Sequence, residues 1–505
     1  MSPIIEFQES LRPVLPVVLG CKDYAEEKKL LERVDRVLRL SGVEAKFLHL
    51  SRRQFEREAE ARQAQGMRVQ TGGRALERYL RHSAWALRCM VLHGLVGGSY
   101  RKMSTRLAHS PLYRWFCGCE ELEVVKVPAK STLNDYARWL PAREMEEVLG
   151  ALTRAVADEE QARLIGLANE LDLAAAWVDT TCVEANVHFP TDWVLLGDGT
   201  RSLLGSVATI RRHGLRLRMP DPAGFQRESN ALAMAMSAAG RKPGSKRERK
   251  KVLRKMKKLS RIVEAHGRRY RDALDREWAK TDLTRREAEV ILERLDNVLK
   301  QLPAARRQAH ERIIGERKVP NEEKILSLYE KDIHVVVRGK ASGEVEFGNS
   351  LFVAENVAGY IFDHALSQET SVGDARWLRE RYPILQEKTS GNLCGVTADR
   401  GFDSRKNREH LQTIEHFNGL CPRDPAELRR RCTTDELFVT TQRRRGQTEG
   451  RIGILKNVFL GGRPRAKGFA HRQIQVAWAV LAHNLWVLAR QPWLEDKAKE
   501  VPKAA

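Results

Sequence analysis

Three carboxylates stand where a sequence rarely leaves charge without a reason. Asp179 closes the apolar start of Ala174-Ala-Ala-Trp-Val-Asp179-Thr-Thr-Cys-Val-Glu-Ala-Asn-Val187, which reads as strand, two hydroxyl residues, then strand. Asp399 ends a second apolar run, Leu393 to Ala398, and Glu449 lies in Gln447-Thr-Glu449-Gly-Arg451. A carboxylate at the end of a buried strand is costly unless it has a partner. Carboxylate oxygens suit Mg²⁺ or Mn²⁺. Two such ions, about 3.5–4 Å apart, can activate an attacking oxygen and stabilise a leaving one in phosphodiester displacement. Asp179, Asp399 and Glu449 are therefore the candidate catalytic residues and the candidate metal ligands.

Around Glu449 a second pattern appears. Arg445 lies four residues before it and Lys456 seven after it, positions that share one face if the segment is helical. That face would set a metal ligand between two phosphate contacts. Gly446, Gly450 and Gly453 speak against routine surface pairing and weaken the expectation of a helix, since each costs about 1 kcal/mol relative to Ala in a helix interior.

The elements that must position these groups can be read from periodicity. Tyr24–Leu40 and residues 75–98 have helical spacing of apolar residues. Residues 99–110 and 131–136 form short helices carrying Arg101 and Lys102, in outline a helix-turn-helix region or an ordinary bundle with a solvated basic face. Residues 142–170 and 192–211 read as helices. Strands are expected at 333–337, 344–353, 359–366, 393–398 and 416–421, with Gly348-Asn349 as a turn or bulge. Helices are expected at 374–386, at 405–414 behind Ser404, and at 474–488, the last apolar enough to be buried.

Arg241–Lys258 carries eleven basic residues and one acidic, at the start of a helical hairpin that interrupts the strands. Lys250, Lys251 and Arg254 on this run either face solvent or track a phosphate backbone. The whole chain of 505 residues has a formal charge of +22, which favours a polyanionic partner, double-stranded DNA first. Its eight cysteines show no paired spacing of a zinc ribbon. The N-terminus lacks a signal-peptide layout, and no run reaches the ~18 apolar residues of a membrane helix, so no membrane partner is expected.

Val178–Asp192, Ala398-Asp-Arg-Gly-Phe402 and Arg445-x3-Glu449-x6-Lys456 together resemble the DDE transposases of bacterial insertion sequences, in the IS4/IS5-like group and closest to its ISNCY-type members. The resemblance implies an α/β fold: a ribonuclease H-like mixed-sheet catalytic core with an all-α N-terminal region and a helical insertion. It implies that Asp179, Asp399 and Glu449 are the catalytic triad, that Arg445 and Lys456 lie near the element end, and that the cofactor is Mg²⁺ or Mn²⁺, two ions. It further implies a homodimer in the active complex and a bacterial cytoplasmic, nucleoid-associated location. The family often has Tyr three residues before that Arg; here Gln442 takes the position. The expected division is a helical DNA-binding region over 1–165, core over 166–240 and 326–490, basic insertion over 241–325 and a flexible tail over 491–505. A nuclease without strand transfer and a non-catalytic DNA-binding protein are the alternatives.

Overall fold

The structure is a computed structural model and describes residues 14–67, 69–121, 124–239, 245–340, 343–369, 372–462 and 467–496. Contacts divide the chain into two compact units. Unit 1 is 1–183, 350–367 and 372–505; unit 2 is 184–349 with 368–371.

Unit 1 begins with eight helices: α1 Lys22–Leu40, α2 Val43–Ala64, α3 Gly73–Val96, α4 Tyr100–His109, α5 Pro111–Cys117, α6 Lys130–Tyr136, α7 Ala142–Ala157 and α8 Glu159–Ile165. Between α5 and α6 a two-stranded ribbon, β1 Glu120–Glu121 and β2 Val124–Val125, goes beyond the sequence expectation. The single helix expected over 142–170 is two, because Asp158 is extended and its carboxylate accepts the Gln161 N–H to start α8.

These helices share one apolar core with the sheet and with α17, Phe469–Ala489. Helix α17 is buried nearly all round, and α3 approaches it so closely that a Cβ on Gly94 would lie 2.5 Å from Ala482 Cβ. Trp478 Nε1 donates to Ala137 O at 3.2 Å. Asn484 replaces a strand partner: its Oδ1 accepts Ile361 N–H at 2.9 Å and its Nδ2 donates to Ile361 O at 2.7 Å.

The sheet strands are β3 Ala175–Glu184, β4 His334–Lys340, β5 Gly343–Glu355, β6 Ile361–Leu366, β7 Gly395–Ala398 and β8 Phe417–Leu420. The order runs β5-β3-β7-β8, with β6 antiparallel to β5, and β7 parallel to both β3 and β8. The architecture is thus α/β with a mixed sheet, and β6 to β8 are linked through α13 Asp374–Lys388 and α14 Arg405–Thr413. Helices α15 Pro425–Thr434 and α16 Glu436–Ile454 follow. The turn or bulge expected at Gly348-Asn349 is absent: β5 runs straight through. What changes there is the partner, because β4 pairs as far as Gly348 and β6 takes over at Leu351. Asn349 is fully buried and donates to Asp332 O at 2.7 Å.

Unit 2 is a bundle of α9 Asp192–Arg212, α10 Pro222–Ala239, α11 Ser245–Glu277 and α12 Arg285–Ala309. The expected hairpin is α11 with α12. Helix α9 packs with them through Leu196, Leu203, Leu204, Val207 and Ile210. Residues 241–244, the start of the basic run, lie outside the described residues.

The expected flexible tail over 491–505 needs correction at its start. Trp493 is fully buried, with its Nε1 donating to Leu488 O at 3.1 Å and the Arg33 guanidinium 4.9 Å from its ring. Arg33 also pairs with Glu495 at 2.9 Å, so a buried indole and an ion pair anchor the segment. Residues 497–505 lie outside the described residues. Among the described residues no helix is long and apolar enough to cross a membrane.

Candidate active site

Strand register brings the first two carboxylates together. The parallel pairing of β3 with β7 matches Trp177 to Thr397, each two residues before its aspartate, Asp179 and Asp399. Asp179 lies inside β3, which runs unbroken through the two hydroxyl residues to Glu184 where two strands were expected, and Asp399 follows the end of β7. Thr180 N–H donates to Asp179 Oδ1 at 2.7 Å, and Gly401 N–H to Asp399 Oδ1 at 2.8 Å.

Helix α16 supplies the third. Its glycines do not prevent it from forming, because it is tied to the sheet at several points. Gln442 Nε2 donates to Ala398 O at 2.9 Å and Gly419 O at 2.6 Å, the ends of β7 and β8. The residue that departs from the family pattern therefore docks α16 beside Asp399. Trp177, on the same face of β3 as Asp179, donates from Nε1 to Thr441 O at 3.0 Å. The Arg444 guanidinium lies 4.5 Å from the Trp177 ring. Glu355, fully buried at the end of β5, accepts from Arg444 Nη1 and from Thr448 Oγ1 at 2.8 Å.

So fixed, α16 holds the half-buried Arg445 and the exposed Glu449 as an ion pair of 2.9 Å. Their effect reaches Asp179, whose carboxyl is raised from its ordinary 3.8 to about 6. Burial is the main cause. The negative charges of Asp399 and Glu449 push the same way, and the Thr180 N–H and the Arg445 guanidinium push against them. Asp179, Asp399, Glu449 and Arg445 thus form one electrostatic group.

Lys456 is not on α16. It falls in the π-helical turn Leu455–Phe459 that follows, so the single helical face expected for 445, 449 and 456 is interrupted. Arg101 and Lys102 are exposed in the first turn of α4 and are not among the groups acting on Asp179. Lys250, Lys251 and Arg254 belong to α11 of unit 2; Lys250 pairs with Glu316 at 2.7 Å, while Lys251 and Arg254 are exposed.

Two further groups escaped the sequence reading. Asp374, the first residue of α13, accepts the Thr180 hydroxyl hydrogen bond on Oδ1 at 2.7 Å. Its Oδ2 packs over Gly401, where a Cβ would stand 2.3 Å from it and 3.0 Å from Asp399 Oδ1. Asp374 therefore reaches the neighbours of both aspartates, Thr180 and Gly401, and α13 is held in place by Arg381 and Lys388, which pair with the buried Asp363 of β6. Glu355 is the other, unnoticed because its partner Arg444 is far along the chain. Asp403, an acidic neighbour of Asp399, is occupied by Arg408 at 2.6 Å and the Arg423 N–H at 3.0 Å.

The donor set is all carboxylate oxygen, and the mutual repulsion that raises Asp179 is what a bound cation would relieve. Among the described residues no group of three or more His, Cys, Asp or Glu side chains is arranged as a ready metal cage.

The site thus has one carboxylate within β3, a second just past the end of the parallel neighbour β7 and a third on a helix docked against the sheet. Residues 357–485 match the family model described as Transposase DDE domain. The matched segment runs from just before β6 into α17 and contains Asp374, Asp399, Arg445, Glu449 and Lys456, but not Asp179. This similarity supports the DDE transposases in general. No curated protein and no solved structure matches the chain.

Proposed function

We propose that the protein is an insertion-sequence transposase of the DDE type, of the IS4/IS5-like group, that cuts phosphodiesters at the element's ends and transfers the freed 3′-OH strand to target DNA. The observation that carries this reading is the electrostatic grouping of Asp179, Asp399 and Glu449 within a fold whose second half is similar to a transposase domain. The sheet order also supports a ribonuclease H-like core: counted from β3, and leaving β4 aside, the strands lie third-second-first-fourth-fifth.

In this reading Asp179, Asp399 and Glu449 would hold Mg²⁺ or Mn²⁺. Two such ions, when bound, supply activation of the attacking oxygen and charge neutralisation at the leaving one. The chain's own residues do the rest. Thr180 and Gly401 fix the orientation of the two aspartates through their N–H groups. Gln442, Trp177 and Glu355 hold α16 so that Glu449 faces the same group. Arg445 brings positive charge to the scissile phosphate. Arg101, Lys102, Lys250, Lys251, Arg254 and Lys456 provide contacts to the DNA backbone, and two copies of the chain bring two ends together.

The test is strand transfer with purified protein and labelled DNA bearing the flanks of its own gene, with Asp399→Ala as control. Joined products in Mg²⁺ that vanish in the variant are expected. Cleavage without joining would assign a nuclease, and retarded but uncut DNA would leave a binding protein.

A further inference from the structure

Unit 2 contains a second concentration of chemistry, built from its own residues. A cleft of about 840 Å³ is lined by Lys246, Arg249, Arg312, Arg317, Lys318 and Lys324, with Asp192 and Glu316 as its acids. Three features show that this cleft is short of negative charge.

The first is the balance of partners. Arg312 pairs with Asp192 at 3.0 Å and Arg317 with Glu311 at 2.8 Å. Lys324 has an amide, donating to Asn321 Oδ1 at 2.6 Å. Arg249 Nε is buried with no hydrogen-bond partner, an expensive state for a guanidinium nitrogen.

The second is the polarity of α11. Its first turns carry Lys246, Arg247, Arg249 and Lys250 against one acid, Glu248, at the end of a helix that favours anions. The third is Glu316. Its backbone is left-handed, with φ of 54°, an uncommon conformation for a residue with a Cβ. It follows the π-helical turn His310–Ile314 and Gly315. From that strained position its carboxylate reaches Lys246 at 3.3 Å and Lys250 at 2.7 Å. One carboxylate is thus held at the N-terminal end of α11, where a doubly liganded oxyanion belongs.

We propose that this cleft is a phosphodiester-binding site for duplex DNA, in which Glu316 stands in for a phosphate and yields Lys246 and Lys250 to it. Arg249, Lys318 and Lys324 supply the further contacts. The proposal rests on the DNA-directed reading of the chain but not on its catalysis.

The experiment is fluorescence anisotropy of the full-length protein with a labelled 30-bp duplex in EDTA, from about 50 to 300 mM salt. The variants are Lys318→Ala/Lys324→Ala and Glu316→Gln. The double variant is expected to bind about tenfold more weakly, with a salt slope reduced by about 1–2, since each phosphate contact contributes about 0.9. Glu316→Gln is expected to bind several-fold more tightly, because it removes the competing charge, and an opposite sign of effect cannot come from misfolding. Wild-type affinity and slope in both variants, or weaker binding by Glu316→Gln, would overturn the proposal. Inorganic phosphate that raises the Tm of the wild type but not of the double variant, with duplex affinity unchanged, would overturn the duplex assignment in favour of a free phosphate. Because no cleavage is read, failure of strand transfer with these binding effects intact would sink the transposase reading and leave the cleft standing.

Discussion

Replacing Asp179 by Asn should stabilise the protein while abolishing its chemistry. The wild-type carboxyl is raised from 3.8 to about 6, so the folded state holds its proton more tightly than the unfolded chain does. A raised acid contributes no penalty below 3.8. Its penalty grows as pH climbs towards about 6 and is constant above that. At about 1.4 kcal/mol per pH unit, the interval corresponds to a ceiling of about 3 kcal/mol at neutral pH. Asn is isosteric and keeps an oxygen to accept the Thr180 N–H.

The assay is thermal unfolding of both proteins in EDTA between pH 4 and 8. The variant should gain a few degrees in Tm at pH 7.5 and the gain should shrink to nothing near pH 4. Adding millimolar Mg²⁺ should raise the wild-type Tm and close most of the gap, with little effect on the variant. The effect of Asp399→Asn should be non-additive with that of Asp179→Asn, because each removes the other's like-charge neighbour. A variant less stable at every pH, or a gain independent of pH, would refute the claim that Asp179 is held against its surroundings.

Asp374→Asn keeps an acceptor for the Thr180 hydroxyl, so its Tm should match wild type, while strand transfer falls about 10–100-fold and the Mg²⁺ concentration for half-maximal rate rises, as removal of a residue orienting metal ligands does. Equal Mg²⁺ dependence in wild type and variant would reduce Asp374 to a helix-terminal acid. Glu355→Gln leaves Arg444 buried without its counter-charge and should cost about 3–5 kcal/mol in chemical denaturation, with strand transfer lost in parallel; a variant of normal stability would mean that α16 is docked by other contacts.

Much of the core was legible because its signals are local. Val178 before Asp179, and Val396 before Asp399, mark strands by composition and carboxylates by contrast. Ser404 marks the start of α14, and it does accept the Asn407 N–H. What stayed hidden is set by partners far along the chain. The register that relates Asp179 to Asp399 depends on a pairing 220 residues apart in sequence, Trp177 with Thr397. Asp374 meets Thr180 across 194 residues, and Arg444 meets Glu355 across 89. No periodicity encodes such contacts. Trp493 was hidden for a different reason: a single aromatic in a polar tail has no pattern at all, and only its pocket shows that it is buried.

The glycines of α16 join these two kinds of information. At Gly446, Gly450 and Gly453 a Cβ would meet nothing within 4 Å, so packing does not require them. Each weakens an isolated helix by about 1 kcal/mol, and the sequence alone therefore leaves the expected helix weakly supported. The helix stands because it is fastened by Gln442 to two strand ends and by Arg444 and Thr448 to a buried glutamate. Tertiary contact outweighs propensity here. It also explains how Glu449 can be kept near two other carboxylates that repel it: Gln442, two turns before Glu449 on the same side of the helix, and Arg444 and Thr448 all hold the helix against moving away.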